Sequence, residues 1–312
     1  MDLELQLRRA LPSGATLSDW RAPDGWICRR MDWPQPEGEA ARGSLVFAAG
    51  RGDFIEKYLE AHHYWHGRGW NVTAFDWRGQ GASRGNIVGG NYVSFDPLVD
   101  DLAALIAQWR GAFRAPHVAI GHSMGGHLLL RTLVDKKPKL DAAVLIAPMI
   151  RVNSAPLSPA VAPFVAQFMC MIGARDRPVW KSPPKGRSPA ARRQFFLTGS
   201  PERYADELWW WEKEPGYNIG APSWGWMAAA YRSAAGAFTP TKLRSVETPI
   251  LILGTERDRL VSPQAIRNAA AFLPRAQLHM YEDAAHEILR EADPIRLEAH
   301  SRIDAFLDEQ AR

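Results

Sequence analysis

Short apolar runs recur along the chain, each ending in or followed by Gly, Asp or another turn-forming residue. Residues 44–49 lead into Gly50-Arg51-Gly52, 71–75 end at Asp76, and 117–120 end at Gly121. Residues 142–147 end at Pro148, 250–253 end at Gly254, and 277–281 precede Glu282-Asp283. Apolar runs of this length predict strands buried on both faces. Between them, apolar residues at spacings of three and four predict helices over 54–67, 96–113, 124–135, 263–273 and 294–309. Alternation of this kind from residue 44 onward places the chain in the α/β class, with a mostly parallel sheet flanked by helices. Residues 20–33 read as a short antiparallel element ahead of it.

The alternation stops between residues 150 and 241, where Pro, Trp and Arg are dense and no buried strand run occurs. Six of the 13 tryptophans fall there: Trp180, Trp209, Trp210, Trp211, Trp224 and Trp226. A linker does not carry so many large apolar side chains, so an inserted helical cap is expected over 150–241. The core is then expected to comprise 1–149 and 242–312.

Hydrophobic residues at 46% and charged residues at 23% suit a folded chain with a sizeable core. Residues 1–10 are amphipathic, with Asp2, Glu4, Arg8 and Arg9, and lack the apolar stretch of a secretory signal. The richest apolar window, 161–173, is too short to span a bilayer and contains Pro163. With only Cys28 and Cys170, a disulfide framework or thiolate zinc site is not expected, and a cytoplasmic location fits. The net charge of +4 is concentrated in 175–193, which holds seven basic residues (Arg175, Arg177, Lys181, Lys185, Arg187, Arg192, Arg193) against Asp176. So local a basicity argues against a nucleic-acid-binding face and reads as a solvated loop, or as peripheral contact with anionic lipid on the inner face of a membrane.

The most informative motif is Gly121-His122-Ser123-Met124-Gly125, a G-x-S-x-G between a strand and an apolar helix. There the turn exposes the serine hydroxyl at a helix N-terminus, and the flanking glycines let strand and helix approach. Ser123 is therefore the candidate nucleophile. A serine hydroxyl needs a base, and the base an orienting carboxylate, here expected in the order Ser, Asp, His. The loop after 250–253 supplies Asp258, with Glu256 as competitor, and the loop after 277–281 supplies His286. His279 falls within a strand, His300 within the last helix, and His122 receives no chemical role. His62 and His66 share a helix face beside His63, but no third ligand accompanies them, so a polar helix face is the preferred reading and no metal or organic cofactor is expected. The oxyanion requires preorganised N–H donors. Met124 supplies one, and the turn after 44–49 the other, from Arg51 first and Gly50 next.

These motifs resemble the monoacylglycerol lipase and lysophospholipase group of α/β-hydrolases, sometimes grouped with serine aminopeptidases of the S33 type. The resemblance rests on residues 121–126, on Asp76-Trp77-Arg78-Gly79-Gln80-Gly81-Ala82-Ser83, on 254–261 and on Ala285-His286-Glu287. It implies the α/β-hydrolase fold and a structural loop at 76–83 beside the active site. Residues 50–58 and 197–204 are most similar to bacterial lysophospholipases. At Ala49-Gly50, where many members carry His-Gly, this chain departs from the group, so other contacts must hold the oxyanion turn. The expected activity is hydrolysis of carboxylic esters of monoacyl lipids, with the tryptophans meeting the acyl chain and the basic window meeting anionic interfaces. Small-ester hydrolysis, an acyltransferase and an aminopeptidase remain open on the same triad, the last needing acidic residues such as Glu202, Asp206, Glu207, Glu212 and Glu214 for a substrate amine. A noncatalytic binding protein on the same fold is disfavoured by the intact Ser, Asp and His.

Overall fold

The computed structural model describes residues 3–180 and 189–311. Eight strands form one sheet: β1 (Thr16–Arg21), β2 (Ile27–Trp33), β3 (Gly43–Ala48), β4 (Trp70–Phe75), β5 (His117–His122), β6 (Ala142–Ile146), β7 (Ile250–Thr255) and β8 (Ala276–Tyr281). Their spatial order is β1-β2-β4-β3-β5-β6-β7-β8. The pairs β1/β2 and β2/β4 are antiparallel, and every pair from β4 to β8 is parallel. The antiparallel element expected at 20–33 is longer than its apolar signal, because β1 is an edge strand with mostly exposed side chains.

Eleven helices are described: α1 (Leu3–Arg9), α2 (Leu59–Gly67), α3 (Asp96–Ala112), α4 (Met124–Asp135), α5 (Ala162–Met171), α6 (Pro189–Leu197), α7 (Pro201–Lys213), α8 (Trp224–Ala237), α9 (Pro240–Leu243), α10 (Pro263–Ala270) and α11 (Asp293–Gln310). Strand side chains alternate between two layers, as the period of a strand dictates. Leu45, Phe47, Val118, Ile120, Leu251 and Leu253 pack with Leu59 and Trp65 of α2 and with Ile303 and Leu307 of α11. Val46, Ala48, Ala119, Ile250 and Ile252 pack on the opposite face with α3, α4 and α10. The helix expected over 54–67 is a 3-10 turn, Ile55–Tyr58, followed by α2, since Asp76 Oδ1 accepts the Ile55 N–H and fixes the tighter entry.

Helices α5 to α9 lie in the connection between β6 and β7. This connection is tied to the sheet-and-helix layers by polar contacts. The Arg8 and Arg9 guanidinium groups converge on Asp206 of α7, Arg203 donates to Glu60 of α2 at 2.6 and 2.8 Å, and Ser233 of α8 lies 2.6 Å from His127 Nε2 of α4. The tryptophans of this connection serve mostly as packing. Trp226 is buried, Trp209, Trp210, Trp211 and Trp224 are half-buried, and Trp180 is exposed. Rings of Trp209 and Trp211 are covered by Arg9 and Arg193, so these two, with the buried Trp226, are placed as packing residues. Among the described residues of this connection the exposed large apolar side chains are Leu157, Trp180 and Phe195 together with Val161, Phe164, Phe168, Met171 and Ile172 on and beside α5.

Candidate active site

In a parallel sheet the loops beyond the carboxyl ends of the strands converge on one edge. Here the loops after β3, β5, β7 and β8 bring together Gly50 to Gly52, Ser123, Asp258 and His286. Ser123 occupies φ 52°, ψ −114°, a strained backbone for a residue with a side chain. The strain is held by the Ser123 N–H donating to Ile146 O at 2.9 Å and by the Ser123 carbonyl accepting from His127 and Met149 N–H groups, each at 3.0 Å. A Cβ added at Gly125 would lie 2.0 Å from Ala48 O, so only glycine lets α4 cross so close to β3.

The Ser123 hydroxyl donates to His286 Nε2 at 2.8 Å, and His286 Nδ1–H donates to Asp258 Oδ2 at 2.7 Å. Asp258 Oδ1 accepts the N–H groups of Leu260 and Val261 at 2.8 and 2.9 Å, which aims its other oxygen at the imidazole. Burial alone would lower the His286 pKa, but the Asp258 charge and hydrogen bond, with Glu287 and Asp53 behind, raise it above the ordinary imidazole value. Glu256 is exposed and paired with Arg267, so among the two carboxylates of its loop Asp258 is the one that meets His286.

Of the two expected oxyanion donors, Met124 N–H opens α4 and Arg51 N–H lies in the turn after β3; among the described residues neither is hydrogen-bonded. The alternative, Gly50, is excluded by geometry: its N–H donates to Asp53 Oδ2 at 2.8 Å. That bond also answers the departure at Ala49-Gly50. The turn is held by Asp53, by Gln80 Oε1 accepting the Gly52 N–H, and by Trp77 Nε1–H donating to Ala49 O at 2.8 Å. Trp77 and Gln80 belong to the 76–83 segment, whose Asp76 accepts the Ile55 and Ala82 N–H groups, so this loop braces the oxyanion turn directly.

A buried ionic network behind the site was not read from the sequence. Lys57 Nζ donates to Asp53 Oδ1 and Glu287 Oε1, both at 2.6 Å, and to Glu207 Oε1 at 3.3 Å. Arg193 and Arg290 complete it on Glu207 and Glu287. Lys57 thereby joins the turn after β3 to the loop after β8. His122, the variable residue of the elbow, lies 2.8 Å from Tyr58 Oη through Nδ1 and 3.3 Å from the His286 carbonyl through Nε2. Burial would raise the pKa values of Asp53, Glu207 and Glu287, yet Lys57 and the other cations hold all three below the ordinary carboxylate range, Glu207 at about 2. Lys57→Met leaves these carboxylates short of a cation and is expected to cost about 3–5 kcal/mol of unfolding free energy, read by urea denaturation. The stabilisation these groups provide is present above their unfolded-state pKa and lost as pH falls through the lower folded values. In Lys57→Met that loss sets in at higher pH; a change under about 1 kcal/mol contradicts the central role of Lys57.

His62, His63 and His66 do not converge on a metal site. His62 packs edge-on to Phe47 in the core, whereas His66 stacks on Trp33 at 3.8 Å and His63 meets the same ring edge-on. Among the described residues no group of three or more His, Cys, Asp or Glu is arranged to hold a metal ion. Of the basic window, Lys181, Lys185, Arg187 and the Arg192 side chain lie outside the described residues. Arg193 is not a free surface cation, since it is paired with Glu207.

The family model for serine aminopeptidase, S33, matches residues 39–293. The chain belongs to this family. Within it, the chain is 26% identical over 284 residues to a probable lysophospholipase L2 of Haemophilus influenzae, covering 89% of this chain and 87% of that one. It is 29% identical over 287 residues to lysophospholipase L2 of Escherichia coli, covering 84% and 79%. The fold is that of a soluble variant of monoglyceride lipase from Saccharomyces cerevisiae, at 16% identity, TM-score 0.74 and coverage of 97% and 98%. In this member of the S33 family the G-x-S-x-G turn lies between β5 and α4, with Asp258 and His286 in the loops after β7 and β8.

Proposed function

We propose that this chain hydrolyses carboxylic esters of monoacyl lipids through an acyl-enzyme, with Ser123 as nucleophile, His286 as general base and Asp258 as the group that orients His286. The reading is carried by the continuous hydrogen-bonded chain from Asp258 through His286 to Ser123, beside the two N–H groups of Arg51 and Met124. In this mechanism Ser123 Oγ attacks the ester carbonyl while His286 Nε2 takes its proton. The oxyanion forms against Met124 and Arg51 N–H, aided by the positive end of α4. His286 then gives the proton to the departing alcohol, and water, deprotonated by the same imidazole, releases the acid and restores Ser123.

The lysophospholipase relatives support a monoacyl lipid as substrate. An amine-binding acidic cluster in residues 150–241 has less support, since Asp206 is occupied by Arg8 and Arg9, and Glu207 by Lys57 and Arg193. These residues act as a cap in this reading: α6 ends on the histidine loop, where Leu197 O accepts the Glu287 N–H at 2.7 Å. A panel of a lysophospholipid, a monoacylglycerol, a short p-nitrophenyl ester and an aminoacyl amide tests the proposal. The highest kcat/KM is expected on the two lipids; preference for the amide contradicts it, and preference for the short ester reduces it to a small-ester hydrolase.

The cap also supplies a membrane-facing surface in this reading. Val161, Phe164, Phe168 and Met171 recur at helical spacing, with Phe164 77% and Met171 74% exposed, and the basic Arg175 and Arg177 follow. Apolar insertion flanked by basic residues suits an anionic bilayer. Phe164→Ser with Phe168→Ser is expected to weaken co-sedimentation with phosphatidylglycerol vesicles by at least about tenfold, the lower bound for two partly inserted aromatic anchors. Equal sedimentation of variant and wild type contradicts a membrane role for α5. No helix among the described residues is long and apolar enough to cross a membrane.

A further inference from the structure

Arg29, Arg78, Arg193, Arg203 and Arg290 each meet a carboxylate within an ion pair. Arg51 meets none among the described residues. Its Nη1 donates to Gly220 O at 2.9 Å, its Nη2 to Gly89 O at 3.0 Å, and its plane lies over Trp226 at 5.4 Å. Nε is buried without a partner. A guanidinium has five N–H donors, so the neutral carbonyls leave most of them unused and leave the charge uncompensated. Burial of the half-buried Arg51 side chain, with no carboxylate beside it, pulls its pKa down to about 10.

The position of this cation gives it a use. Arg51 follows Gly50, where an added Cβ would lie 3.2 Å from Ser123 Cβ, so the guanidinium is carried on the turn that faces the nucleophile. Its Nη1 contact with Gly220 reaches the solvent-exposed side, which gives a polar headgroup access. In a lysophospholipid the glycerol unit separates the scissile ester from a phosphodiester by a comparable span. Guanidinium groups recognise phosphate through paired N–H donors.

We propose that the Arg51 side chain binds the headgroup phosphate of a lysophospholipid whose ester carbonyl faces the Arg51 N–H, making Arg51 the residue that selects phosphate-bearing monoacyl lipids over neutral ones. This rests on the ester-hydrolase reading above. A bracing role alone, tying the oxyanion turn to residues 89 and 220, gives parallel losses on all substrates when the side chain is changed.

The test compares kcat/KM on lysophosphatidylcholine and on monoacylglycerol of the same acyl chain, in mixed micelles of a neutral detergent. Lysophosphatidylcholine carries no net charge, so bulk attraction to the micelle does not contribute. In Arg51→Gln the ratio of the two is expected to fall about 10- to 100-fold, the range for losing a hydrogen bond to a charged group. Arg51→Lys, which keeps the charge, is expected to restore most of the ratio. A parallel loss on both lipids, with the ratio kept, overturns the phosphate assignment while leaving ester hydrolysis standing. Wild-type protein that turns over neither lipid and takes no fluorophosphonate overturns both readings together.

Discussion

Ser123→Ala is expected to lower kcat on esters by about 10⁶-fold, the scale of losing a triad nucleophile. The variant removes the attacking oxygen and the hydrogen bond to His286 Nε2, but leaves the backbone contacts of the elbow to Ile146, His127 and Met149 in place. Its melting temperature is therefore expected to stay near that of the wild type, so that the loss is chemical rather than structural. Steady-state kinetics on a p-nitrophenyl ester, with thermal unfolding alongside, separates the two. Retention of full activity in a folded variant removes Ser123 from the mechanism.

Asp258→Asn is expected to lower kcat by about 10⁴-fold. The asparagine carbonyl can still accept the Leu260 and Val261 N–H groups, but its amide then faces His286 Nδ1 and favours the opposite tautomer, with a hydrogen on Nε2 where the Ser123 proton must be received. The substitution also changes the pH profile. His286 acts as a base only when neutral, and Asp258 raises its pKa, so wild-type kcat/KM falls as pH drops through a value above the ordinary imidazole range. Without the anion that acid limb moves to lower pH. Glu256→Gln, at an exposed residue paired with Arg267, is expected to change kcat by less than about threefold. A larger effect from Glu256 than from Asp258 reverses the assignment.

The proposed triad residues were legible as candidates because Ser123, Asp258 and His286 each sit where a strand ends, and the strands are apolar runs whose ends are sharp. His286 and Asp258 needed no long-range knowledge beyond the order of the loops. The oxyanion turn was only half legible, because Arg51 and Gly50 are both candidates by position, and the contact that separates them comes from the Asp53 carboxylate. The buried network was out of reach for a stronger reason: Lys57 and Glu287 are 230 residues apart, and each alone looks like a surface charge. The tryptophans were ambiguous for a related reason. Their bulk suits lipid contact and core packing equally, and only the cations laid over Trp209 and Trp211 and the burial of Trp226 separate the two uses. The apolar face of α5 falls within residues 161–173, the window richest in apolar residues, but periodicity alone does not say which side of a short helix faces outward.

The most direct measurement is covalent labelling with a fluorophosphonate, followed by intact-mass and peptide-mass analysis of the wild type, Ser123→Ala and Asp258→Asn. The expected result is one adduct per chain, located on Ser123, absent from Ser123→Ala and formed much more slowly in Asp258→Asn. An adduct on another residue, or equal labelling of wild type and Ser123→Ala, contradicts the assignment of Ser123 as the nucleophile.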